Sequence, residues 1–500
     1  MKRKLLLIVM ILAMLFTVSC NLENTKITNK IVAPDNTKLP ISGKWVIEDY
    51  KISSISSMDE ETVEEYIGKE ALFDKKLVAI GDDYCLEPSF KMKNVNTADY
   101  LIYQYKVNPN FLNIDEDEIQ IVSVMSKEQF FYEFIKESDE KIIVNIDGVF
   151  FYLKMVSKEV EDEKIAEYYY TDKAMFRMAD VGEEDMLRTG ILIGLKSLDL
   201  DAKENNIEKW NYRTIFIRSY NKEIASTYEM KDIFLPRRTG FWGVKVVREN
   251  VNDKINDNIV AYPYKKTVDL NNEKKKEDKV AKGSTIKNIL YAGNDYISIE
   301  SVNQSNNGER FLEFYPIDNI DKGKPMKISD IVGEMGKESF LEEVNKEILS
   351  GDKEYKNSFI DLTPDEESFG LFRRNGHWVL KGRVNFVEND IYSYKNFNIK
   401  AIPPKEIVHY DELSIPWNAV KTRIPEAIDA FTSPNEDLII VITRNNILVY
   451  LIDGGEIGDI PVEKIKLKST EKVIMAEWAV GRYPLLWEEE FLKHEATPIK

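Results

Sequence analysis

Arg237-Arg238-Thr239-Gly240-Phe241-Trp242-Gly243-Val244-Lys245 returns, with five identities in nine, as Arg373-Arg374-Asn375-Gly376-His377-Trp378-Val379-Leu380-Lys381, 136 residues further on. Tyr315-Pro316-Ile317-Asp318 returns as Tyr450-Leu451-Ile452-Asp453 at a spacing of 135. Two separate signals on nearly one period constrain the fold more than any other feature, because a chain that repeats itself stacks similar units whose apolar faces cover one another. Around these signals, residues from about 165 onward read as strands parted by polar turns. Residues 427–431, 438–442 and 447–452 predict a three-stranded meander, in which Asn445 and Asn446 tolerate the positive φ of a tight turn. Residues 288–317 read the same way, with Gly293-Asn294 as the first turn.

The period is three times about 45 residues, the length of one four-stranded propeller blade. Residues 165–495 therefore resemble the β-propeller architecture, and the stretch 185–490 implies six or seven blades. The resemblance is architectural, since neither a Trp-Asp signature nor a double glycine marks each unit. Two stacked β-sandwiches are the competing arrangement. A polar insertion near 265–284, centred on Asn271-Asn272-Glu273-Lys274-Lys275-Lys276, predicts a surface loop. Phe340, Val344 and Ile348 at helical spacing, with Gly351 behind them, predict one inserted helix over 339–349.

The N-terminal segment carries a different signal. Lys2, Arg3 and Lys4 precede an apolar run over 5–18, too short to cross a hydrocarbon core of about 30 Å as a helix. Small residues then lead to Cys20. This resembles the lipobox of bacterial lipoproteins, with Thr17 where that family usually has leucine. The resemblance implies a signal peptide over 1–19, cleavage before Cys20, and a diacylglycerol (palmitate-type) anchor on its sulfur, while ordinary secretion with Cys20 left free is the competing reading. Residues 20–39 are Asn, Thr and Lys with little apolar content and read as a flexible tether. The expected place is the extracytoplasmic face of the cell membrane. Cys85 is the one other cysteine, so once Cys20 carries lipid no internal disulfide can form.

Residues 40–157 read as a small α+β or barrel-like domain. Strand-like runs at 45–52, 77–80, 101–105, 119–124, 141–145 and 149–153 alternate with two helices whose start signals are Ser57-Met58-Asp59-Glu60 and Ser126-Lys127-Glu128-Gln129. In the second, Phe130/Phe134 and Phe131/Ile135 pair at i,i+4. Gly43-Lys44-Trp45 resembles the Gly-x-Trp that opens lipocalin barrels, and Trp45 reads as a core plug in preference to part of a ligand cavity. The whole is thus a mainly β chain.

Charge excludes one class of partner. The formal net charge is −18, and −21 without the three basic residues of 1–19, so nucleic acid should be repelled. Chemistry is hard to find. Gly-x-Ser-x-Gly is absent, and Ser-x-x-Lys recurs, as at Ser138/Lys141, Ser219/Lys222, Ser350/Lys353 and Ser469/Lys472, without its companion motifs. Three scattered histidines, His377, His409 and His494, exclude a His-Glu-x-x-His site, and the calcium-like start at Asp199-Leu200-Asp201 lacks its glycine. No phosphate loop is present, so no cofactor and no metal are expected. The double Arg-Arg-x-Gly-x-Trp stands out instead: Arg237, Arg238, Trp242, Arg373, Arg374 and Trp378 are the candidate partner-binding residues, arginine strengthening its hold through cation–π contact. Equally, these arginines can neutralise carboxylates between blades while the tryptophans pack. The expectation is a lipid-anchored binding module for a protein, peptide or wall partner. A glycan-acting hydrolase with acidic residues in the propeller channel is the alternative.

Overall fold

The computed structural model describes residues 39–56, 58–81, 83–126, 129–176, 187–200, 208–251, 254–264, 285–303, 308–320, 324–350, 366–388 and 391–499. Cys20, the segment before it, the tether and the insertion at 265–284 lie outside the described residues. The chain divides into Met1–Pro40 and Ile41–Lys500, and the architecture below is that of the second unit. Strand makes up 53% and helix 18%, so the mainly β expectation holds.

The first sheet is a nine-stranded half-barrel. Its strands are β1 (Gly43–Ile52), β2 (Glu70–Phe73), β3 (Leu77–Ile80), β4 (Asp83–Leu86), β5 (Pro88–Asn96), β6 (Glu118–Ser126), β7 (Gln129–Lys136), β8 (Lys141–Ile146) and β9 (Val149–Ser157), in the order 4-3-2-1-9-8-7-6-5. Both faces are covered. Ile142, Val144, Phe151 and Leu153 join Trp45, Phe73 and Phe134 in one core. Ile143 and Phe150 point the other way, into a core closed by Leu101 and Leu112. Those two residues belong to the helices Thr97–Tyr105 and Pro109–Leu112. Trp45 is 1% exposed, donates its indole N–H to the Ser42 carbonyl at 2.9 Å and packs edge-on against Phe73, so it is a plug.

Two sequence expectations are corrected, the first through burial on both faces. The second expected helix is strand instead, Ser126 ending β6 and Gln129–Lys136 forming β7: Phe134 fills one core and Ile135 the other, so period-2 alternation is lost and the apolar residues imitate helical spacing. Conversely, residues 101–105 end a helix that Asn96 caps by accepting from the Asp99 N–H at 3.0 Å. The first expected helix is present as Glu60–Tyr66, but Asp59 is its cap, accepting from the Thr62 N–H at 2.8 Å. Ser57 lies outside the described residues.

Four further sheets form a propeller-like ring. The first contains β10 (Arg188–Leu198), β11 (Trp210–Tyr220) and β12 (Glu223–Lys231). The second joins two meanders, β13 (Ile233–Arg237), β14 (Gly240–Val251), β15 (Lys254–Pro263) and β16 (Thr285–Ala292), β17 (Tyr296–Asn303), β18 (Glu309–Pro316), through one parallel pair at Asn256 and Thr285. The third is β19 (Phe369–Arg374), β20 (His377–Glu388) and β21 (Ile391–Asn398). The fourth is β22 (Asp429–Thr432), β23 (Leu438–Ile442), β24 (Asn446–Asp453), β25 (Glu456–Ile457) and β26 (Glu463–Lys466). The chain then returns to the first sheet, where β27 (Lys472–Val480) pairs with β10 and β28 (Thr497–Pro498) with β12. Start and end of the ring thus share one sheet.

Packing closes the same circle. Ile191, Ile193 and Leu195 of β10 meet Leu438, Ile440 and Ile442 of β23. Leu192 faces the second sheet with Phe234, Ile289 and Phe491, the last from the helix Tyr483–Leu492. Strands buried on both faces read as unbroken apolar runs, hence Leu438-Ile439-Ile440-Val441-Ile442.

Four blades replace the expected six or seven. Both copies of the repeat do occupy the same place, the first hairpin of a meander. The residues between them hold two meanders' worth of strands and the 23-residue helix Ile328–Ser350, so the 136-residue spacing is not three short blades. That helix contains the expected segment and extends it towards the N-terminus across a kink at Gly333.

Candidate functional site

The repeated arginines tie successive meanders together. Arg237 is 9% exposed; it donates to the Asn294 carbonyl at 2.7 Å, to Asp318 at 2.7 Å and to Asp295 at 3.1 Å, with its guanidinium 4.8 Å from the centre of the Trp242 ring. Arg373 does the same one meander pair later. It donates to Asp429 and the Ala430 carbonyl, both at 2.7 Å, and to Asp411 at 2.5 Å, over Trp378 and Phe431. Asp429 also accepts from the Gly376 N–H at 2.7 Å, and Asp411 from the Trp378 N–H at 2.8 Å. Gly376 sits at φ +86°, and Asn375 before it at φ 52°, which is the backbone of a two-residue hairpin turn. Trp378 is buried and Trp242 half-buried.

The second arginine of each copy has diverged. Arg238 reaches the half-barrel, donating to Glu133 at 3.2 Å and lying over Tyr105. Burial pushes the Glu133 carboxyl up, but bonds from Tyr100 and Ser123 and the charges of Arg238 and Lys93 hold it below its ordinary value. A second junction joins Arg482 to Asp83 at 3.0 Å, with the guanidinium over Phe131 and Tyr132. Arg374 is exposed and makes no ion pair among the described residues.

Most buried carboxylates of the ring are paired with arginine: Glu300 with Arg383 at 2.6 Å, Asp257 with Arg248 at 2.7 Å, Glu471 with Arg213 at 2.7 Å. Asp437 accepts instead from the hydroxyls of Thr189 and Ser433, and Glu477 on β27 has neither kind of support. It is 8% exposed with no cation within ion-pair distance among the described residues, and burial, then the charge of Asp295, push its carboxyl up to about 8. Among the described residues no group of three or more His, Cys, Asp or Glu is placed to hold a metal ion, and no helix is long and apolar enough to cross a membrane.

A cleft with an unusual charge lining lies where the ring closes. It measures about 560 Å³ and is lined by Lys209, Trp210, Tyr212, Arg213, Lys231, Lys245 and Lys468, with Glu229, Asp232, Glu495 and Thr497. Five basic side chains thus face three acidic ones in a chain of net charge −18. Arg213 is shared between Glu229 and Glu471, so it adds no free positive charge to the cleft, and Lys209 is bonded to Asp199 at 2.9 Å. Among the described residues no carboxylate lies within ion-pair distance of Lys231, Lys245 or Lys468. Burial pushes the Asp232 carboxyl up while Lys231 and Lys245 pull it back. Trp210 bonds its indole N–H to Glu208 at 3.0 Å, so it offers ring surface to the cleft. Behind it Lys196 is buried, donates to Asn288 at 2.8 Å and to the Ile289 carbonyl at 2.7 Å, and lies 5.0 Å from the Trp210 ring centre. Burial pushes its ammonium down to about 7.

None of the six residues singled out from the sequence lines this cleft. Most of its residues lie between Ser197 and Val246 on the neighbouring strands β10, β11, β12 and β14, and Lys468, Glu495 and Thr497 join them where β27 and β28 return to the first sheet, so no local motif could have marked the whole set. The fold and site define a class, a propeller-like ring joined to a half-barrel and bearing a basic, aromatic cleft at its closure. Compared with protein-family models and with curated proteins, the chain matches none.

Proposed function

We propose that the chain is a lipid-anchored binding module on the extracytoplasmic face of the cell membrane, held through Cys20 and engaging a partner of the cell envelope at the ring-closure cleft. The observation that carries the reading is the cleft: cationic side chains with no ion-pair partner among the described residues gather beside an aromatic ring on an otherwise acidic body. Clefts of roughly 300–1,000 Å³ with a few convergent polar groups are the usual form of ligand sites. The arginine ties between meanders and at the half-barrel would hold that cleft rigid. Two measurements test the reading. Replacing Cys20→Ser should move the chain from the membrane fraction to the soluble fraction. The full chain carrying Cys20→Ser should sediment with isolated cell envelopes, and reversing the cleft charge with Lys231→Glu, Lys245→Glu and Lys468→Glu should abolish this. Equal sedimentation of the two chains, or none, refutes the cleft as the docking point.

A glycan-acting hydrolase is the second reading, and Glu477 favours it: a carboxyl that stays protonated near neutrality beside Asp295 is the acid such a reaction needs. Its burial, and the hold of Arg237 on Asp295, place it behind the binding reading. Release of reducing ends from envelope glycan by the wild type and not by Glu477→Gln would reverse that order.

A further inference from the structure

We infer that the ligand of the ring-closure cleft is an anionic saccharide, a short glycan whose carboxylate or phosphate groups meet Lys231, Lys245 and Lys468 and one of whose sugar faces lies against Trp210. The inference rests on the reading of this cleft as the binding site.

Three observations narrow the chemistry. First, the three lysines with no ion-pair partner among the described residues come from three separate places, Lys231 at the end of β12, Lys245 within β14 and Lys468 before β27. A single point anion satisfies one or two of them, whereas a chain with spaced charges meets all three. Second, the indole N–H of Trp210 is already bonded, so the residue contributes an apolar plane, which suits the C–H face of a sugar ring. Around it Ser197, Asn211 and Thr497 supply hydroxyl and amide groups able to bond sugar hydroxyls.

Third, the same geometry disfavours an acidic peptide. Peptides gain affinity by adding a strand to a free sheet edge or by seating a side chain in a deep apolar pocket. Here the edge of β12 beside the cleft is taken by β28, with Tyr228 opposite Pro498 and Glu229 opposite Thr497. The aliphatic lining is only Met230 and Val246.

The test is titration calorimetry on the full chain carrying Cys20→Ser, at low and at high salt, with four probes: tetragalacturonic acid, its full methyl ester, a phosphodiester-linked hexose tetramer, and decaglutamate. At least one of the two anionic tetramers should bind, the two together telling carboxylate from phosphate. The ester and decaglutamate should bind at least tenfold more weakly. Raising salt from 0.05 to 0.5 M should weaken the binding tetramer at least tenfold, because exposed charge pairs are screened. Lys231→Ala/Lys245→Ala/Lys468→Ala should weaken it by a similar factor, and its circular dichroism should match the parent. Trp210→Phe, which keeps a ring, should retain more affinity than Trp210→Ala. The inference is overturned if the ester binds as well as the acid, if decaglutamate binds best, or if neither anionic tetramer binds. Should cleft-dependent sedimentation with envelopes persist when both tetramers fail, the cleft remains a binding site and the ligand class alone falls.

Discussion

Glu477→Gln isolates one buried carboxyl, and its size can be worked out from the surroundings. Glu477 stands on β27 opposite Leu192 of β10. The groups facing it are Asp295 and Asn294 from the turn between β16 and β17, and the nearby Tyr291 ring of β16. Burial is the largest influence and the Asp295 charge the second; a hydrogen bond from Asn294 acts in the opposite sense, and the balance lies at about 8 against an ordinary 4.5. The folded chain therefore holds a proton that the unfolded chain has lost between those two values. A group raised on folding contributes stability that is full below its unfolded pKa and is lost as pH rises through its folded one. At about 1.4 kcal/mol per pH unit the loss is about 5 kcal/mol across the window.

The glutamine variant keeps the shape and removes the proton, so its stability should not carry this loss. Unfolding entropy of about 2 cal/mol/K per residue makes 1 kcal/mol worth roughly 1 °C in a unit as long as Ile41–Lys500. Thermal midpoints of the two chains, followed by circular dichroism from pH 4.5 to 8.5, should diverge by about 5 °C, the wild type falling behind as pH rises. Curves that stay parallel over that range, or a wild type that gains on the variant, would refute the assignment of Glu477 as a buried, proton-holding acid.

Arg373→Ala leaves Asp411 and Asp429 without their cation and should lower stability in urea by about 3–5 kcal/mol, a loss that Arg374→Ala should not share. Gly376→Ala forces a Cβ to 2.4 Å from Leu413 at φ +86°, whereas Gly454→Ala, at φ +57° with open space, adds backbone strain alone; the first should cost more than the second, which should cost about 1 kcal/mol. Trp45→Ala removes the plug of the half-barrel and should cost about 3–5 kcal/mol, read as faster amide exchange in β1 and β9.

Legibility followed locality. The meanders at 288–317 and 427–452 could be read because each is a set of short apolar runs with turn residues between them. The strands at 141–145 and 149–153 could be read because each is a short apolar run, and Asp147 and Gly148 between them take the positive φ, 52° and 86°, of a tight turn. Strand β7 could not, since burial on both faces erases the alternation that marks a strand. The blade number was hidden by the uneven length of the connections, one of which holds the helix Ile328–Ser350. The repeated Arg-Arg-x-Gly-x-Trp was visible as a signal, but its two arginines differ in what they touch: Arg237 and Arg373 bond forward to the next meander, Arg238 bonds back to the half-barrel, and Arg374 faces solvent. Nothing in nine residues of sequence encodes that difference, because the partners lie from 38 to 105 residues away.

The cleft was illegible for a deeper reason, which also links folding to binding. Ser197, Lys231 and Lys245 are placed by neighbouring strands, but Lys468 joins them only after β27 has paired with β10, and Glu495 and Thr497 add their wall only after β28 has paired with β12. Contacts of such long sequence separation form late, since the loop entropy they close is lost before they are gained. A chain whose ring has not closed keeps Lys231 and Lys245 on their strands but lacks Lys468 and the wall that Glu495 and Thr497 supply. Binding competence at this cleft is therefore a property of the completed ring, and a partner that engages it selects the closed molecule over every open one.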